Sequence, residues 1–396
     1  MQHPEHHVFD FTPESLSEWC RQRGMPAFRA KQILEWVYGR GVVDPGAMTN
    51  LAARDRATLA AEMVFLSGPT VAHQVATDGT QKLLVEWPDA MRPGQLDAGH
   101  AQIDHGMRLP ILNGDGSPGG MPYSDSARQT ECVMIPSVAR RTEGRPRKTA
   151  CISSQVGCPV GCTFCASGLG GLDGNLSTGR IVEQAWRLAQ LEGVGRISNV
   201  VFMGMGEPLA NFGNVVHAVR TLAAPWGMGI SARRITISTV GLPRAIERLA
   251  AELDLPVTLA LSLHAPTDEL RRRLIPWAEY STVRELLDAC QRWFEKTGRE
   301  ITLEYILLRG VNDRPGHAEA VADLALSMRA NVNLIRYNEV PMDGGATRFE
   351  RPRGEDVRAF LEVLRRRGVN AHIRASRGRD IAAACGQLRH EHAGSA

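Results

Sequence analysis

Residues 155–167 read Gln155-Val-Gly-Cys-Pro-Val-Gly-Cys-Thr-Phe-Cys-Ala-Ser167 and place Cys158, Cys162 and Cys165 in the order C-x-x-x-C-x-x-C. Three thiolates on one short loop can bind three irons of a cubane [4Fe-4S] cluster. The fourth iron then lacks a protein ligand, so a small molecule can bind there. The spacing therefore predicts chemistry at iron, as in a radical enzyme, rather than electron storage alone.

Other uses of this loop fit the sequence less well. Zinc sites usually add a second cysteine or histidine pair to a pair such as Cys162 and Cys165. A ferredoxin-type cluster needs a fourth nearby cysteine, whereas the next ones are Cys290 and Cys385. Disulfides are disfavoured in a 396-residue chain that has eight cysteines and shows no secretory signal. The open-iron cluster is favoured over zinc, and zinc over three unrelated buried cysteines.

The amino-acid composition excludes few functional classes. Lys and Arg total 46 against 43 Asp and Glu, so the net charge of +3 does not by itself indicate nucleic-acid binding. Arginine clusters such as 145–148, 271–273 and 365–367 suit phosphate oxygens, although most such runs are solvated helix faces. No apolar stretch is long enough to span a bilayer. We expect a cytoplasmic protein, monomeric and without a membrane partner.

The N-terminal part of the chain is predicted to be helical. Residues 1–66 contain amphipathic stretches, the first of which begins with the cap Thr12 before a proline. This domain could pack onto the rest of the protein or contact an RNA backbone through Arg29, Lys31 and Arg40. The sequence favours neither use.

Residues 67–148 are predicted to link that domain to the core. A hairpin over 70–88 turns at Gly79, and a short strand covers 132–136. The Gly-, Pro-, Asp- and Ser-rich stretch 89–130 has no clean period and is interpreted as an insertion, and residues 137–148 form a basic loop.

Residues 149–390 alternate between short apolar strands and amphipathic helices, such as 177–192 and 282–297. Six strands are predicted near residues 150–153, 199–203, 234–238, 257–263, 301–308 and 333–337, and a late one over 370–374. This alternation is typical of parallel βα units, and their number favours a partial (β/α)6 barrel over an open Rossmann sheet. Chemistry in such barrels lies at the carboxyl ends of the strands, which is where the cysteine loop follows the first strand.

Polar residues and glycines follow several of these strands. They are Gly206 and Glu207 in Met203-Gly-Met-Gly-Glu-Pro208, then Ser238, Ser262, Leu263, His264 and Asn338. Beside an open iron that binds the amine and carboxylate of S-adenosylmethionine, Glu207 can accept from the amino group, and the others can contact the ribose, carboxylate or adenine. Each residue taken singly is equally well explained by capping or turn bonds. His264 is assigned a binding or backbone role, not that of a general base.

The remaining cysteines differ in context. Cys20, Cys132 and Cys290 lie on apolar segments and are interpreted as core residues. Cys151 ends the first barrel strand, and Cys385 lies in the small-residue segment Ala382-Ala-Ala-Cys-Gly-Gln-Leu388. Without further context, two buried small residues remain the leading interpretation of this pair.

Several motifs together resemble one family. Cys151-Ile-Ser-Ser-Gln-Val-Gly-Cys158, the cysteine loop, Gly204-Met-Gly-Glu-Pro-Leu209, Ser262-Leu-His-Ala-Pro266 and Ala384-Cys-Gly-Gln-Leu388 resemble the radical SAM adenine carbon-2 methyltransferases of RNA, the RlmN family. Phe28-Arg-Ala-Lys-Gln-Ile33 is similar to that family's N-terminal helical domain. The resemblance covers most of residues 12–390.

The resemblance implies roles for individual residues. Cys158, Cys162 and Cys165 would ligate the cluster. The residues that would bind S-adenosylmethionine are Gly206, Glu207, Ser238, Ser262, Leu263, His264 and Asn338. Cys385 would carry a methyl group, Glu131 would accept the proton of adenine carbon 2, and Cys151 would release the product by forming a transient disulfide. The implied partners are 23S rRNA, tRNA as well, and a flavodoxin-type electron donor. A carbon-8 methyltransferase of the related type and an inactive iron-sulfur RNA-binding paralogue remain the alternatives.

Overall fold

A ten-stranded sheet runs through the part of the chain that the computed structural model describes, namely residues 1–88, 100–103, 107–110, 128–137, 146–340 and 347–388. The strands in chain order are β1 (Thr70–Val75), β2 (Gln81–Glu86), β3 (His100–Ile103), β4 (Met107–Pro110), β5 (Gln129–Pro136), β6 (Lys148–Cys151), β7 (Gln155–Gly157), β8 (Leu172–Asn175), β9 (Asn199–Phe202), β10 (Ile235–Thr239), β11 (Thr258–Ser262), β12 (Ile301–Leu307), β13 (Asn331–Arg336) and β14 (Ala371–Arg374). The large sheet has the order β1-β2-β5-β6-β9-β10-β11-β12-β13-β14, so β1 and β14 are its two open edges.

The strands from β6 to β14 in that order are all parallel. The α-helices of the described ranges are α1 (Pro13–Gln22), α2 (Arg29–Leu34), α3 (Ala53–Glu62), α4 (Thr178–Gln190), α5 (Phe212–Ala223), α6 (Pro243–Glu252), α7 (Asp268–Leu274), α8 (Val283–Thr297), α9 (Pro315–Ser327) and α10 (Gly354–Arg366). The six predicted strands and the partial barrel are confirmed. The late strand pairs with β13 and extends the parallel run to seven, which brings the residues after Arg374 to the carboxyl edge.

The hairpin predicted around Gly79 is confirmed as β1 and β2, with Gly79 at φ 81°. The hairpin continues the sheet beyond β6, because β2 pairs with β5 and β5 with β6, both antiparallel. β5 begins at Gln129, earlier than predicted, since its pairing with β2 extends to that residue. The insertion contains the paired strands β3 and β4, which are too short to give a readable period. Residues 89–99, 104–106 and 111–127 of the insertion and 138–145 of the basic loop lie outside the described residues.

The N-terminal helices begin as the sequence predicts. Thr12 and Ser15 form a capping box at α1, with Pro13 in the first turn. α2 continues as a π-helical turn over Glu35–Gly39, so the predicted second helix is one element with an irregular end. The three predicted domain segments 1–66, 67–148 and 149–390 stay a prediction.

Buried polar contacts attach the N-terminal helices to α4. The carboxylate of Glu183 lies 2.8 Å from Nε2 of His7 and accepts from the N–H of Ser67 at 3.0 Å. The indole N–H of Trp186 donates to the carbonyl of Val37 at 2.9 Å. Burial acts to raise the pKa of Glu183, but the bonds from His7 and the charge of Arg187 bring it below its usual value. The carboxylate is therefore ionised and joins the two parts of the chain.

Candidate active site

The cysteine loop leaves the sheet at the carboxyl end of β6 and passes through the short strand β7. Gly157 has φ 75°, and a Cβ there would lie 2.1 Å from the carbonyl oxygen of Gly171, so the loop requires glycine at this point. The N–H of Cys158 donates to that carbonyl at 2.8 Å, and the N–H of Cys165 donates to the carbonyl of Cys162 at 3.1 Å. The backbone thus orders the loop around its three thiols.

The three thiols line one cavity. Burial raises the pKa of each, most strongly for Cys162, where the buried guanidinium of Arg271 acts in the opposite direction. Within the described ranges no three His, Cys, Asp or Glu side chains converge on a single metal ion. A cubane cluster binds each thiolate at a different iron, so its ligands need not converge on one point. The donor set fits such a cluster, whose irons would deprotonate the thiols.

The cavity is open to solvent, and the space within it, its mouth included, is ≈ 860 Å³. Nine predicted site residues line it: Cys158, Cys162, Cys165, Gly206, Glu207, Ser238, Ser262, His264 and Cys385. Glu131, Cys151, Leu263 and Asn338 do not belong to its described wall. Most of the residues predicted from the strand ends therefore lie together on one cavity wall, and their binding roles stay a prediction.

Glu207 joins two strand ends. Its Oε1 accepts from the N–H of Leu209 and its Oε2 from the N–H of Val240, both at 2.9 Å. Burial raises the pKa of Glu207 to about 7, although these two bonds favour the ionised form. Gly206 has φ 102°, and a Cβ there would lie 2.7 Å from the side chain of Gln155. The side chain of Thr239 also bonds this carboxylate, which has about four acceptor sites in all and so keeps capacity for an ammonium group.

The serines and Leu263 sit at the ends of β10 and β11. The hydroxyl oxygens of Ser238 and Ser262 lie 3.4 Å apart on the cavity wall. The side chain of Leu263 is fully buried in the core, and its carbonyl accepts from Nε of Arg271 at 3.2 Å. Leu263 can therefore take part only through its backbone.

His264 is a neutral wall residue. Burial, reinforced by the charge of Arg271, lowers its pKa to about 3. Its Nδ1 accepts from the N–H of Ile306 at 3.1 Å, which assigns the ring proton to Nε2. The ring packs edge-on against Phe164 with centroids 4.9 Å apart. The binding role predicted for His264 from the sequence stays a prediction.

Cys385 belongs to a strap that we call the carrier segment, residues 378–388. The carbonyl of Gly386 accepts from the N–H of Ala166 at 2.8 Å, immediately after the last cysteine of the loop. Asn338 donates through Nδ2 to the carbonyl of Cys385 at 3.0 Å, so in this structure it contacts the carrier segment rather than the cavity. The segment therefore brings Cys385 to the wall that carries the three loop cysteines.

Cys151, the last residue of β6, packs against the carrier segment. It packs in a small apolar cluster with Met205, Ala383 and Leu388. All eight cysteines lie in the described ranges and are free thiols, so Cys151 and Cys385 are not joined in this structure. Burial raises the pKa of Cys151 to about 12, while the nearby Arg374 acts to lower it and Cys385 to raise it.

Sequence reasoning missed two charged wall residues, Arg374 and Glu304. Arg374 ends β14, and its Nη1 lies 3.0 Å from the sulfur of Met203. Burial raises the pKa of Cys385, and the guanidinium of Arg374 opposes this effect. Glu304 on β12 accepts from Asn333 at 3.0 Å. The strand-end rule could have found Arg374, because it is the last residue of the late strand that the sequence predicts.

Glu131 lies on β5 and is buried. Its Oε1 is 2.6 Å from Nζ of Lys82 on β2, and both side chains are buried. Its carbonyl accepts from the hydroxyl of Ser153 at 2.7 Å. No local sequence pattern singles out Lys82, which meets Glu131 only through the pairing of β2 with β5.

Comparison with known proteins decides the family. Residues 152–321 match the model of the radical SAM superfamily, and residues 6–65 match the N-terminal domain of ribosomal RNA large subunit methyltransferases RlmN. A probable dual-specificity RNA methyltransferase RlmN from Rhodopirellula baltica is 38% identical over 97% of this chain and 91% of its own length. The chain belongs to the RlmN family.

Further relatives of the RlmN family agree. The dual-specificity RNA methyltransferase RlmN of Dichelobacter nodosus is 36% identical over 96% of this chain and 93% of its own. A crystal structure of a radical SAM methyltransferase from Sphaerobacter thermophilus superposes with a TM-score of 0.82 at 37% identity, covering 97% of this chain and 99% of that one.

Membership in the RlmN family settles the cofactors. They are a [4Fe-4S] cluster and S-adenosylmethionine, as predicted from the cysteine loop and the strand ends. In the described part of the chain, no helix has both the length and the apolar character that crossing a bilayer requires.

Proposed function

We propose that this protein methylates carbon 2 of an adenosine in 23S rRNA, and in tRNA as well, through a methyl group carried on Cys385. The observation that supports this most directly is the position of Cys385, on the wall of the cavity that the three loop cysteines also line. The relatives named dual-specificity RNA methyltransferases support both RNA classes. Adenine carbon 2 is not nucleophilic, so ordinary polar methyl transfer to it fails and a radical route is needed.

The residues divide the work by position. Cys158, Cys162 and Cys165 ligate the cluster, which when bound supplies the electron that cleaves S-adenosylmethionine to a 5′-deoxyadenosyl radical. Glu207 accepts from the amino group of S-adenosylmethionine. Around it, Gly206, Ser238, Ser262 and His264 bind the remaining groups, and Leu263 and Asn338 contribute through the backbone and the carrier segment.

Two cysteines and one carboxylate carry out the methyl transfer. Cys385 accepts a methyl group by nucleophilic attack on S-adenosylmethionine. One hydrogen atom of that methyl group passes to the 5′-deoxyadenosyl radical, and the resulting carbon radical adds to the base. Glu131 removes the proton of carbon 2, and the unpaired electron of the adduct would return to the cluster that supplied it. Cys151 then attacks the Cys385 sulfur, the bond between that sulfur and the transferred carbon breaks, and this carbon takes up a proton. The resulting disulfide needs an external two-electron reductant before the next cycle.

The RNA and the electron donor must reach this site from outside. Of the three basic residues considered in the N-terminal domain, Arg29 forms an ion pair with Asp55 at 2.9 Å, which limits its use for RNA. Lys31 is exposed. Arg40 stacks over Trp36 at 4.2 Å and lies 3.5 Å from the carboxylate of Glu35, but half of its side chain is exposed. We propose that Lys31 and Arg40 contact phosphates. A flavodoxin-type donor, a monomeric enzyme and a cytoplasmic location complete the proposal.

Product analysis tests the function. The anaerobically reconstituted protein is incubated with S-adenosylmethionine, a reductant and fragments of 23S rRNA or tRNA, and the nucleosides are separated by mass spectrometry. We expect 2-methyladenosine from the parent and none from Cys385→Ala. Only 8-methyladenosine would assign the carbon-8 alternative, and no methylated adenosine with either RNA would overturn the proposal in favour of an inactive RNA-binding paralogue.

A further inference from the structure

Lys82 is a buried lysine between the proposed base and the carrier segment. In the β2–β5 ladder Lys82 pairs with Val133, and Leu84 pairs with Glu131. Lys82 and Glu131 are therefore diagonal neighbours on one face of the sheet. Their charged atoms lie 2.6 Å apart, with 9% and 4% of the side chains exposed. Lysine is almost never fully buried unless it is paired, and here its partner is Glu131. We therefore ask what this buried ion pair does.

The same ammonium group also reaches the carrier segment. Nζ of Lys82 donates to the carbonyl of Ala382 at 3.4 Å. Ala382 has φ 48°, a left-handed conformation that costs an alanine free energy and persists only where surrounding contacts impose it. Ala382 lies three residues before Cys385. One side chain thus touches both the proposed proton acceptor and the backbone that leads to the carrier sulfur.

We propose that Lys82 is a positioning residue that fixes the Glu131 carboxylate relative to the carrier segment for removal of the adenine proton. The inference rests on the function proposed above. During that step the proton passes from carbon 2 of the base to Glu131, while Lys82 keeps its own three protons. Its contact changes from an ion pair to a hydrogen bond with the neutral carboxyl group, so no further reactant is needed.

This role predicts that the steps of the cycle respond differently to Lys82→Met. Methylation of Cys385 by S-adenosylmethionine in the absence of RNA does not use Glu131, and we expect its rate to stay within about threefold of the parent. Formation of 2-methyladenosine should fall about 100-fold, the usual contribution of a general base. With RNA deuterated at adenine carbon 2, the isotope effect on product formation should be larger in Lys82→Met than in the parent, because proton removal becomes limiting.

Two comparisons separate positioning from simple structural support. Lys82→Met combined with Glu131→Gln should be no slower than Glu131→Gln alone, since the lysine acts through the carboxylate. The matched control is Lys148→Met. Lys148 begins β6, at the end away from Cys151, and its ammonium donates to the carbonyl of Gly193 at 2.6 Å. This substitution should leave turnover unchanged. Lys82→Arg, which keeps the charge, should restore part of the lost rate.

The outcomes are distinct. If the parent forms 2-methyladenosine but Lys82→Met matches it in rate and isotope effect, the role of Lys82 is wrong and the function stands. If the parent forms none, both proposals fail. Should Lys82→Met take up no iron, Lys82→Gln, which keeps N–H donors without the charge, replaces it. The same loss of product and larger isotope effect are then expected, and parent-like values would overturn the inference.

Discussion

The carbonyl of Gly386 accepts a hydrogen bond from the N–H of Ala166 at 2.8 Å, which joins the residue after Cys385 to the residue after Cys165. The hydroxyl of Ser167, the next residue of the loop, donates at 2.6 Å to the carbonyl of Leu388, two residues after Gly386. Backbone contacts thus register the carrier segment against the cysteine loop. Because the Cys385 sulfur is already held in place, less entropy is lost when it reacts, and the activation free energy is lower.

Removing the carrier sulfur should abolish the reaction and leave the protein intact. We expect Cys385→Ala to retain its iron, to incorporate no methyl group into the protein and to form no 2-methyladenosine. Radiolabelled S-adenosylmethionine measures the first effect and nucleoside mass spectrometry the second. Cys290→Ala is the control, since Cys290 is buried in α8 and should affect only stability. Methyl incorporation by Cys385→Ala would identify a different carrier.

Removing the resolving thiol should trap the protein on its RNA. Cys151 packs against Ala383 and Leu388 of the carrier segment, so its loss leaves the Cys385 sulfur bonded to the transferred carbon. Cys151→Ala should therefore accumulate a species that migrates slowly in denaturing gels and disappears after RNase treatment. Cys132→Ala, one strand away and fully buried, should show no such species. Normal turnover by Cys151→Ala would contradict its assigned role.

The cluster ligands can be tested by iron content alone. The anaerobically purified parent should be brown and contain about four irons per chain. Cys162→Ala should lose most of this iron and the associated visible absorption, because two thiolates do not secure a cubane. Cys20→Ala, in the core of the N-terminal helices, should keep both. A colourless parent that binds zinc tightly would contradict the cluster.

Glu207 should matter through both of its oxygens. Each accepts one backbone N–H, and in Glu207→Gln an amide nitrogen must face one of these donors. We expect a loss of about 1–3 kcal/mol in the free energy of unfolding, because a buried donor is left without a partner. The affinity for S-adenosylmethionine, measured by calorimetry, should fall at least about tenfold, which corresponds to about 1.4 kcal/mol of binding free energy. The exposed Glu362→Gln serves as control, and parent-like binding by Glu207→Gln would remove it from the site.

The features that the sequence predicts depend on residues close together in the chain, whereas the features that it does not predict join residues far apart. The cysteine loop, the G-E-P turn and the strand-end serines follow from local order, because parallel strands present their carboxyl ends at one edge. The Lys82–Glu131 pair joins residues 49 positions apart through an antiparallel register that no local pattern specifies. Asn338 shows the same limit, since its contact with the carbonyl of Cys385 depends on how the carrier segment folds back.

The tip of the first hairpin also contacts the carrier segment. Asp380 accepts through Oδ2 from the N–H of Thr77 at 2.9 Å, and Asp78 accepts from the N–H of Gly378 at 3.1 Å. Burial acts to raise the pKa of Asp78, but bonds from Thr80 and Gly378 outweigh it and lower the pKa. The bond from Thr77 lowers the pKa of Asp380. Both contacts therefore stabilise the fold above the ordinary aspartate range near pH 4 and are lost as the pH falls through the lowered values.

Breaking both contacts should loosen the carrier segment without touching the cluster. In Asp78→Ala combined with Asp380→Ala, we expect faster amide exchange over residues 378–386 and methylation of Cys385 slowed severalfold, with unchanged iron content. At neutral pH the parent should keep this protection and lose it below about pH 4, whereas the double variant should show little such dependence. The exposed Asp254→Ala is the control. Identical exchange in parent and double variant would mean that the other contacts of the carrier segment, such as those with Ala166, Ser167 and Asn338, are enough to hold it.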